Sequence, residues 1–217
     1  MSGSAGDRHH GAALILALRQ SGLSDAETEK LVEAVPVEEF VPFQHRDALT
    51  IDRWLPIECG QSMTPAALTL RIAQALGCEP HHSVLEIGTG TGYLTALVAK
   101  RVRKVLSLDR YRTLLRKAGE RCARFGVSNV TFECRDGSVP NRDGALYDRI
   151  VIDSTFEQVP RHYVDALAGG GSMICAVGPA DGEQELLRLT KIGSRFDRER
   201  LGRVRFNALE KGVATAL

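Results

Sequence analysis

The 217-residue chain has no run of roughly 18 apolar residues, so nothing in it reads as a membrane-spanning helix. It also lacks a charge excess: 28 basic and 27 acidic residues leave a formal net charge of +1. No strong field therefore draws it to nucleic acid or to a membrane surface. Its five cysteines (Cys59, Cys78, Cys122, Cys134, Cys175) are scattered, odd in number and without a C-x-x-C pair. That argues against a disulfide framework and against metal or redox work, and fits reduced, mostly buried thiols in the cytoplasm. The first residues, Met1-Ser2-Gly3-Ser4-Ala5-Gly6, lack the apolar core of a signal peptide. There are no internal repeats and no low-complexity segment. Ser-His-Asp order, a nucleophilic cysteine setting and metal-ligand spacing are absent too, so no metal is expected. His45, His81, His82 and His162 read as surface residues. The basic stretch Arg195 to Arg205 alternates with acids and reads as a solvated face.

What is present is an ordinary globular composition, 43% hydrophobic and 25% charged. The length fits one domain with an N-terminal extension. Three stretches follow: a flexible N-terminus (1–9), helices and a covering loop (10–77), and a core (78–217). Gly11 to Arg19 is helical in pattern. Ser24-Asp25-Ala26-Glu27 caps a second helix, which ends near Ala34 before Pro36. Val35 to Thr64 is irregular, and a long ordered loop in a compact domain is usually functional. Pro65 opens a helix over Ala66 to Leu76, ending at Gly77. From Ser83 on, strands (83–87, 104–109, 130–135, 147–152, 172–177, 185–191, 202–209) alternate with helices (92–102, 112–125, 158–168) through the first five strands. This predicts an α/β fold with a doubly wound, mostly parallel seven-stranded sheet, and a ligand crevice at the strand carboxyl ends.

Val84 to Tyr93 is the most informative segment. An apolar run, Val84-Leu85-Glu86-Ile87, ends in Gly88-Thr89-Gly90-Thr91-Gly92 and opens a helix at Tyr93. Glycines let the backbone turn tightly and let a ligand approach, and a helix N-terminus favours an anionic group. The alternative is a glycine turn in an α/β domain that binds nothing. The spacing E-x-G-x-G-x-G differs from the dinucleotide pattern G-x-G-x-x-G. It resembles motif I of S-adenosyl-L-methionine methyltransferases. Asp109 ends the next strand, where an acid accepts ribose hydroxyls in this fold class. Glu86, Asp109, Asp136 and Asp153 all fall at expected strand ends, and Asp136-Gly137 sits where an adenine amino group is held.

Further segments narrow the resemblance. Ala34 to Pro42 is similar to V-P-R-x-x-F-V-P. Leu55-Pro56-Ile57-Glu58-Cys59-Gly60-Gln61-Ser62-Met63-Thr64 is similar to L-P-I-x-x-G-Q-T-I-S. Arg135-Asp136-Gly137, Ala176-Val177-Gly178 and Val204-Arg205-Phe206 match later motifs. Over residues 31 to 216 the chain resembles the protein-L-isoaspartate O-methyltransferases. The resemblance implies a monomer that methylates the α-carboxylate of L-isoaspartyl residues in damaged proteins or peptides, leaving S-adenosyl-L-homocysteine. It places Gln61, Glu86, Gly88, Thr89, Gly90, Thr91, Gly92, Tyr93, Asp109, Arg110, Asp136, Gly137 and Asp153 at the cofactor. It places Pro56, Ile57, Val177, Gly178 and Ala208 at the substrate, and Thr64 with Ser62 at the reaction.

The chain also departs from the family pattern. Thr64 stands at the family's active-site serine, Asp153-Ser154-Thr155 replaces T-A-A after the fourth strand, and Asn207-Ala208-Leu209 replaces V-P-L. Thr64 has a second reading as the N-cap of the helix after Pro65. Gln61 has one as a partner of loop backbone groups. These departures keep an alternative open: the same transfer to an aspartyl side chain of a biosynthetic peptide or to a small carboxylate. A non-catalytic cofactor-binding protein and a nicotinamide oxidoreductase fit the motifs less well.

Overall fold

The computed structural model describes residues 5–20, 22, 24–50, 52–140 and 144–214. Helix α1 (Ala5–Gln20) begins inside the stretch read as flexible, and α2 follows (Ala26–Ala34). Asp25 caps α2 by accepting the Thr28 N–H at 2.7 Å. The irregular stretch holds short 3₁₀ turns and a small antiparallel ribbon, β1 (Leu55–Pro56) with β2 (Ser62–Met63). Helix α3 is Ala66–Ala75.

The core then runs β3 (Ser83–Ile87), α4 (Tyr93–Ala99), β4 (Lys104–Asp109), α5 (Arg112–Arg124), β5 (Val130–Cys134), β6 (Tyr147–Phe156), α6 (Arg161–Ala166), β7 (Leu167–Val177), β8 (Gln184–Ile192) and β9 (Arg195–Val204). The sheet order is β5-β4-β3-β6-β7-β8-β9. The pairs from β5 to β7 are parallel, and β8 and β9 close the sheet as antiparallel neighbours. The order reverses between β3 and β6, where a crevice opens at the carboxyl ends.

Alternation along the strands divides the core. Val84, Val105, Val151 and Ile174 pack toward α3 and α4, whereas Leu85, Leu108, Ile150 and Met173 pack on the other face with Tyr163 of α6. A third cluster joins Leu18 of α1, Val32 of α2 and Phe40 to Tyr93 and Leu97 of α4. The Phe40 and Tyr93 rings lie 5.4 Å apart. The N-terminal segment is thereby fastened to the helix that follows the glycine turn.

Three details differ from expectation. The last strand ends at Val204 rather than near 209. Beyond it the chain crosses the carboxyl edge of the sheet, with Asn207 and Leu209 bracketing Thr155 through backbone hydrogen bonds. Asp153 lies within β6 at a register irregularity rather than past the strand's end. His82 is buried, because its Nδ1 accepts the Glu79 N–H at 2.9 Å in the turn before β3. The charged edge strand β9 is a solvated face, as its pattern implied: Arg200 pairs with Glu185 and Arg203 with Glu183.

Candidate active site

The glycine turn is stitched to the end of β4. The N–H groups of Gly88 and Thr89 donate to the Leu108 carbonyl at 2.8 and 3.3 Å. The Gly90 N–H donates to Asp109 Oδ2 at 3.0 Å, and the Tyr111 N–H donates to Asp109 Oδ1 at 2.9 Å. The turn therefore spends N–H groups on its own neighbours, which differs from an open anion cradle. Each Asp109 oxygen retains a lone pair for a hydroxyl donor. Burial raises the Asp109 pKa, and the surrounding N–H groups oppose that rise.

Each glycine of the turn has a separate reason. Gly92, at φ +86°, would bring a Cβ within 2.8 Å of the Ala118 Cβ, so it lets α5 pack closely. Gly90, at φ +53°, would bring a Cβ near nothing within 4 Å. Its open side faces the cleft, so a side chain there would take up ligand space.

Beneath the turn lies a buried polar network. Glu86 Oε2 accepts from Thr95 Oγ1 and Ser107 Oγ, both at 2.6 Å, and Thr89 Oγ1 meets Ser107 Oγ at 2.6 Å. Glu86 Oε1 has no hydrogen-bond partner among the described residues. Burial pushes the Glu86 carboxyl up to about 8, with hydroxyl bonds opposing. Glu86 thus supports the turn from below and does not line the cleft.

The cleft opens to solvent and, counted out into that open space, spans about 780 Å³. Gly88, Gly90, Asp109, Arg110 and Gly137 line it together with Ile57, Gln61, Ser62, Asp153 and Ala208. A recess of about 390 Å³ adjoins it, bounded by Thr64, Thr89, Thr91 and Tyr93. Ser62, Gly88, Gly90 and Asp153 belong to both spaces. Gly92, Pro56 and Val177 border neither, and Gly178 lines a separate hollow beside Phe156 and His162.

Asp136 is already engaged. Its carboxylate accepts from Ser138 N and Oγ at 2.8 and 2.6 Å, and from the Gly212 N–H at 2.6 Å. Burial pushes its pKa up, but these bonds outweigh it and hold the group below its usual value. The segment 207–214 thus straps the crevice. Arg110 pairs with Glu210, and the Arg110 carbonyl accepts the Ala214 N–H at 3.1 Å.

Thr64 is not a helix cap. Its Oγ1 donates to Asp153, 3.1 Å from Oδ1 and 3.2 Å from Oδ2. The N-cap of α3 is Pro65, and Asp52 Oδ1 accepts the Ala67 N–H at 3.1 Å instead. Gln61 holds loop groups while lining the cleft: its Nε2 reaches the Cys59 carbonyl and the Tyr111 hydroxyl at 3.4 Å, and its Oε1 accepts from Asn207. Just before it, Cys59 holds φ +61°, a costly conformation for a side-chain-bearing residue. Lys117 of α5 ties this loop down through Glu58.

The motifs missed the rim. Trp54, Tyr111, Leu114 and Glu210 also line the cleft, beside Phe206 of the Val204-Arg205-Phe206 motif. The indole of Trp54 meets the Phe206 ring edge-on at 5.5 Å. Tyr111 stands two residues past Asp109, which was a usable signal. Trp54 precedes the ribbon and carried none.

The fold agrees with comparisons to known proteins. The sequence profile of the protein-L-isoaspartate(D-aspartate) O-methyltransferases matches residues 9–214. A protein-L-isoaspartate O-methyltransferase of Parvibaculum lavamentivorans is 38% identical over 203 residues, 93% of this chain and 91% of the relative. One of Azorhizobium caulinodans is 38% identical over the full length of both chains. A Plasmodium falciparum crystal structure assigned to the same enzyme, in complex with S-adenosyl-L-homocysteine, shares the fold: TM-score 0.78, 22% identity, 94% of this chain and 99% of that one. The matched profile spans both the glycine turn and the hydroxyl loop that meet in one cleft, and the chain belongs to the protein-L-isoaspartate (D-aspartate) O-methyltransferase family.

Proposed function

We propose that this chain transfers a methyl group from S-adenosyl-L-methionine to the α-carboxylate of L-isoaspartyl residues in damaged proteins or peptides, acting as a cytoplasmic monomer. The observation that carries the reading is the meeting of Thr64 with the glycine turn at Asp153, in one cleft of about 780 Å³ and its adjoining recess. The residues fit the cofactor. Gly90 leaves open space for its amino-acid part, and Asp109 holds free lone pairs for ribose hydroxyls. Leu108, Arg110 and Gly137 continue the wall toward the base. Residues 10–77 serve as the cover and residues 78–217 as the cofactor-binding core.

The bound sulfonium supplies an electrophilic methyl group: a carboxylate oxygen forms a bond to it as the carbon–sulfur bond breaks and its electron pair stays on sulfur. An acceptor carboxylate is already ionised at neutral pH and needs no general base. This chain's residues have two tasks. They place the acceptor oxygen about 3 Å from the methyl carbon, in line, and they exclude water. Thr64 and Ser62 bring hydroxyl donors to the acceptor side, and Ile57, Trp54 and Phe206 supply apolar walls. The methyl ester then leaves the site; a backbone amide nitrogen of the peptide attacks the ester carbonyl and expels methanol to close a succinimide, which water opens in part to normal aspartate.

Radiolabelled methyl transfer to matched peptides tests this reading. A peptide with one isoaspartyl residue should be labelled, and the same peptide with aspartyl should not. Equal labelling, or preference for aspartyl, overturns it.

A further inference from the structure

Thr64 and Asp153 form a pair that the family resemblance does not supply. The resemblance places a serine at position 64 and a neutral small residue at position 153. Here a threonine and a carboxylate stand in contact across 89 positions of sequence. Thr64 is 7% exposed, so few waters compete for its hydroxyl. Asp153 forms the floor where the cleft and its recess join.

A hydroxyl group has one proton to give. When Asp153 is ionised, that proton is committed to Asp153, and Thr64 turns only lone pairs to the cleft. An incoming carboxylate would then meet an acceptor and a like charge. When Asp153 is protonated, its own O–H can donate to Thr64 Oγ1. Thr64 is then free to donate to the incoming carboxylate. The direction of one hydrogen bond therefore decides whether the site receives an anion.

We propose that Asp153 is a positioning residue that takes up one proton from solvent when the acceptor carboxylate binds, so that Thr64 donates its hydroxyl to the acceptor. The proposal rests on the carboxylate acceptor assigned under the proposed function. The surroundings favour proton uptake. Asp109 on β4 is the charged group that raises Asp153, and Glu86 on β3, itself raised to about 8, is mostly protonated at pH 7. Thr64, which precedes α3, is its neutral partner. The turn at Gly88 packs against it, 3.2 Å separating its Cβ from the place a Gly88 Cβ would take. Desolvation already brings Asp153 to about 6, against an opposing bond from Thr64. A second carboxylate in the same site raises it further, since two such neighbours cannot both ionise cheaply.

Calorimetry of isoaspartyl-peptide binding at pH 7, to protein saturated with S-adenosyl-L-homocysteine, reads the proton directly. Titrations in two buffers of different ionisation enthalpy should show uptake of nearly one proton by the wild type and none by Asp153→Asn. The pH profile supplies a second reading. Acceptor kcat/KM of the wild type should fall about tenfold per pH unit above the pKa of Asp153 in the free protein, and kcat should fall only above the higher pKa of the loaded site. Asp153→Asn should keep at least a tenth of the wild-type maximum with a flat profile, because its amide N–H donates to Thr64 permanently. Binding of the isoaspartyl peptide without proton uptake by the wild type overturns the proposal, and this result does not depend on how the variant folds. A wild-type rate that rises with pH, with a folded but inactive Asp153→Asn, also overturns it by making Asp153 a base for a neutral acceptor. The proposed function fails separately, if no isoaspartyl peptide is methylated at any pH.

Discussion

The glycine turn after β3 and the hydroxyl loop before α3 face each other across Asp153, yet they are held by different means. The turn is fixed by neighbours on adjoining strands: the Leu108 carbonyl, the Asp109 carboxylate and the network of Glu86, Ser107 and Thr95. The loop is fixed by residues far away in sequence. Lys117 holds Glu58, Tyr111 and Asn207 meet Gln61, Asp153 meets Thr64, and Asp52 caps the helix that follows. The turn belongs to one local βαβ unit, β3-α4-β4, that shapes a cofactor pocket. The loop is a surface assembled from several elements, suited to an acceptor and able to change one residue at a time.

The largest expected effect tests the turn. Gly90→Val fills open cleft space at φ +53°. Binding of S-adenosyl-L-homocysteine should weaken by about a thousandfold, roughly 4 kcal/mol. The far-UV circular dichroism should stay near that of the wild type, although a β-branched residue at positive φ lowers the melting temperature. Calorimetric titration of the folded variant decides it: unchanged affinity would show the turn to be structural only and erase the contrast.

The network under the turn should make stability fall with pH. Glu86 binds its proton more tightly folded than unfolded, since its carboxyl is raised to about 8. Its contribution is complete below about 4.5 and is lost as pH rises through about 8. At about 1.4 kcal/mol per unit of pH for one proton, the cofactor-free protein should lose a few kcal/mol between pH 5 and pH 8. Glu86→Gln should flatten that slope in urea titrations at several pH values. An unchanged slope would assign the effect to another group.

Legibility followed the same division. The glycine turn, Asp109 and the strand pattern were readable because each rests on local spacing: apolar alternation, glycines at set intervals, an acid at a strand end. The sheet and nearly all its strands came from that. Glu86 was readable as important but not as buried, since sequence does not show that Ser107 and Thr95 claim its oxygen. Asp136 was read as open to ligand, yet Gly212 reaches back across 76 positions to occupy it. Trp54 and Glu210 reach the rim through packing and an ion pair that no motif encodes.

Asp109→Ala sharpens the turn's side of the comparison at smaller magnitude. It removes an acceptor for ribose hydroxyls, and a hydrogen bond to a charged group contributes roughly 1.5–3 kcal/mol. Cofactor affinity should fall about ten- to a hundredfold. The Gly90 and Tyr111 N–H groups also lose their partner, so a modest drop in melting temperature accompanies it. Unaltered affinity by calorimetry would remove Asp109 from the cofactor pocket.

The smallest effect separates stability from chemistry within the loop. Asp52 accepts the Ala67 N–H at the first turn of α3, whereas Thr64 directs its hydroxyl to Asp153. Losing a cap costs about 1 kcal/mol. Asp52→Ala should therefore lower stability by about that amount and leave methyl transfer nearly intact below the melting transition. Thr64→Val keeps the shape of the side chain, removes the hydroxyl and leaves the cap in place. Its methyl-transfer rate should drop, with cofactor affinity close to that of the wild type. Thr64→Ser keeps the hydroxyl and should retain much of the activity. Melting curves and initial rates on the three variants form one test. If Asp52→Ala loses rate and Thr64→Val loses only stability, the assignments are exchanged and Thr64 is the helix cap after all.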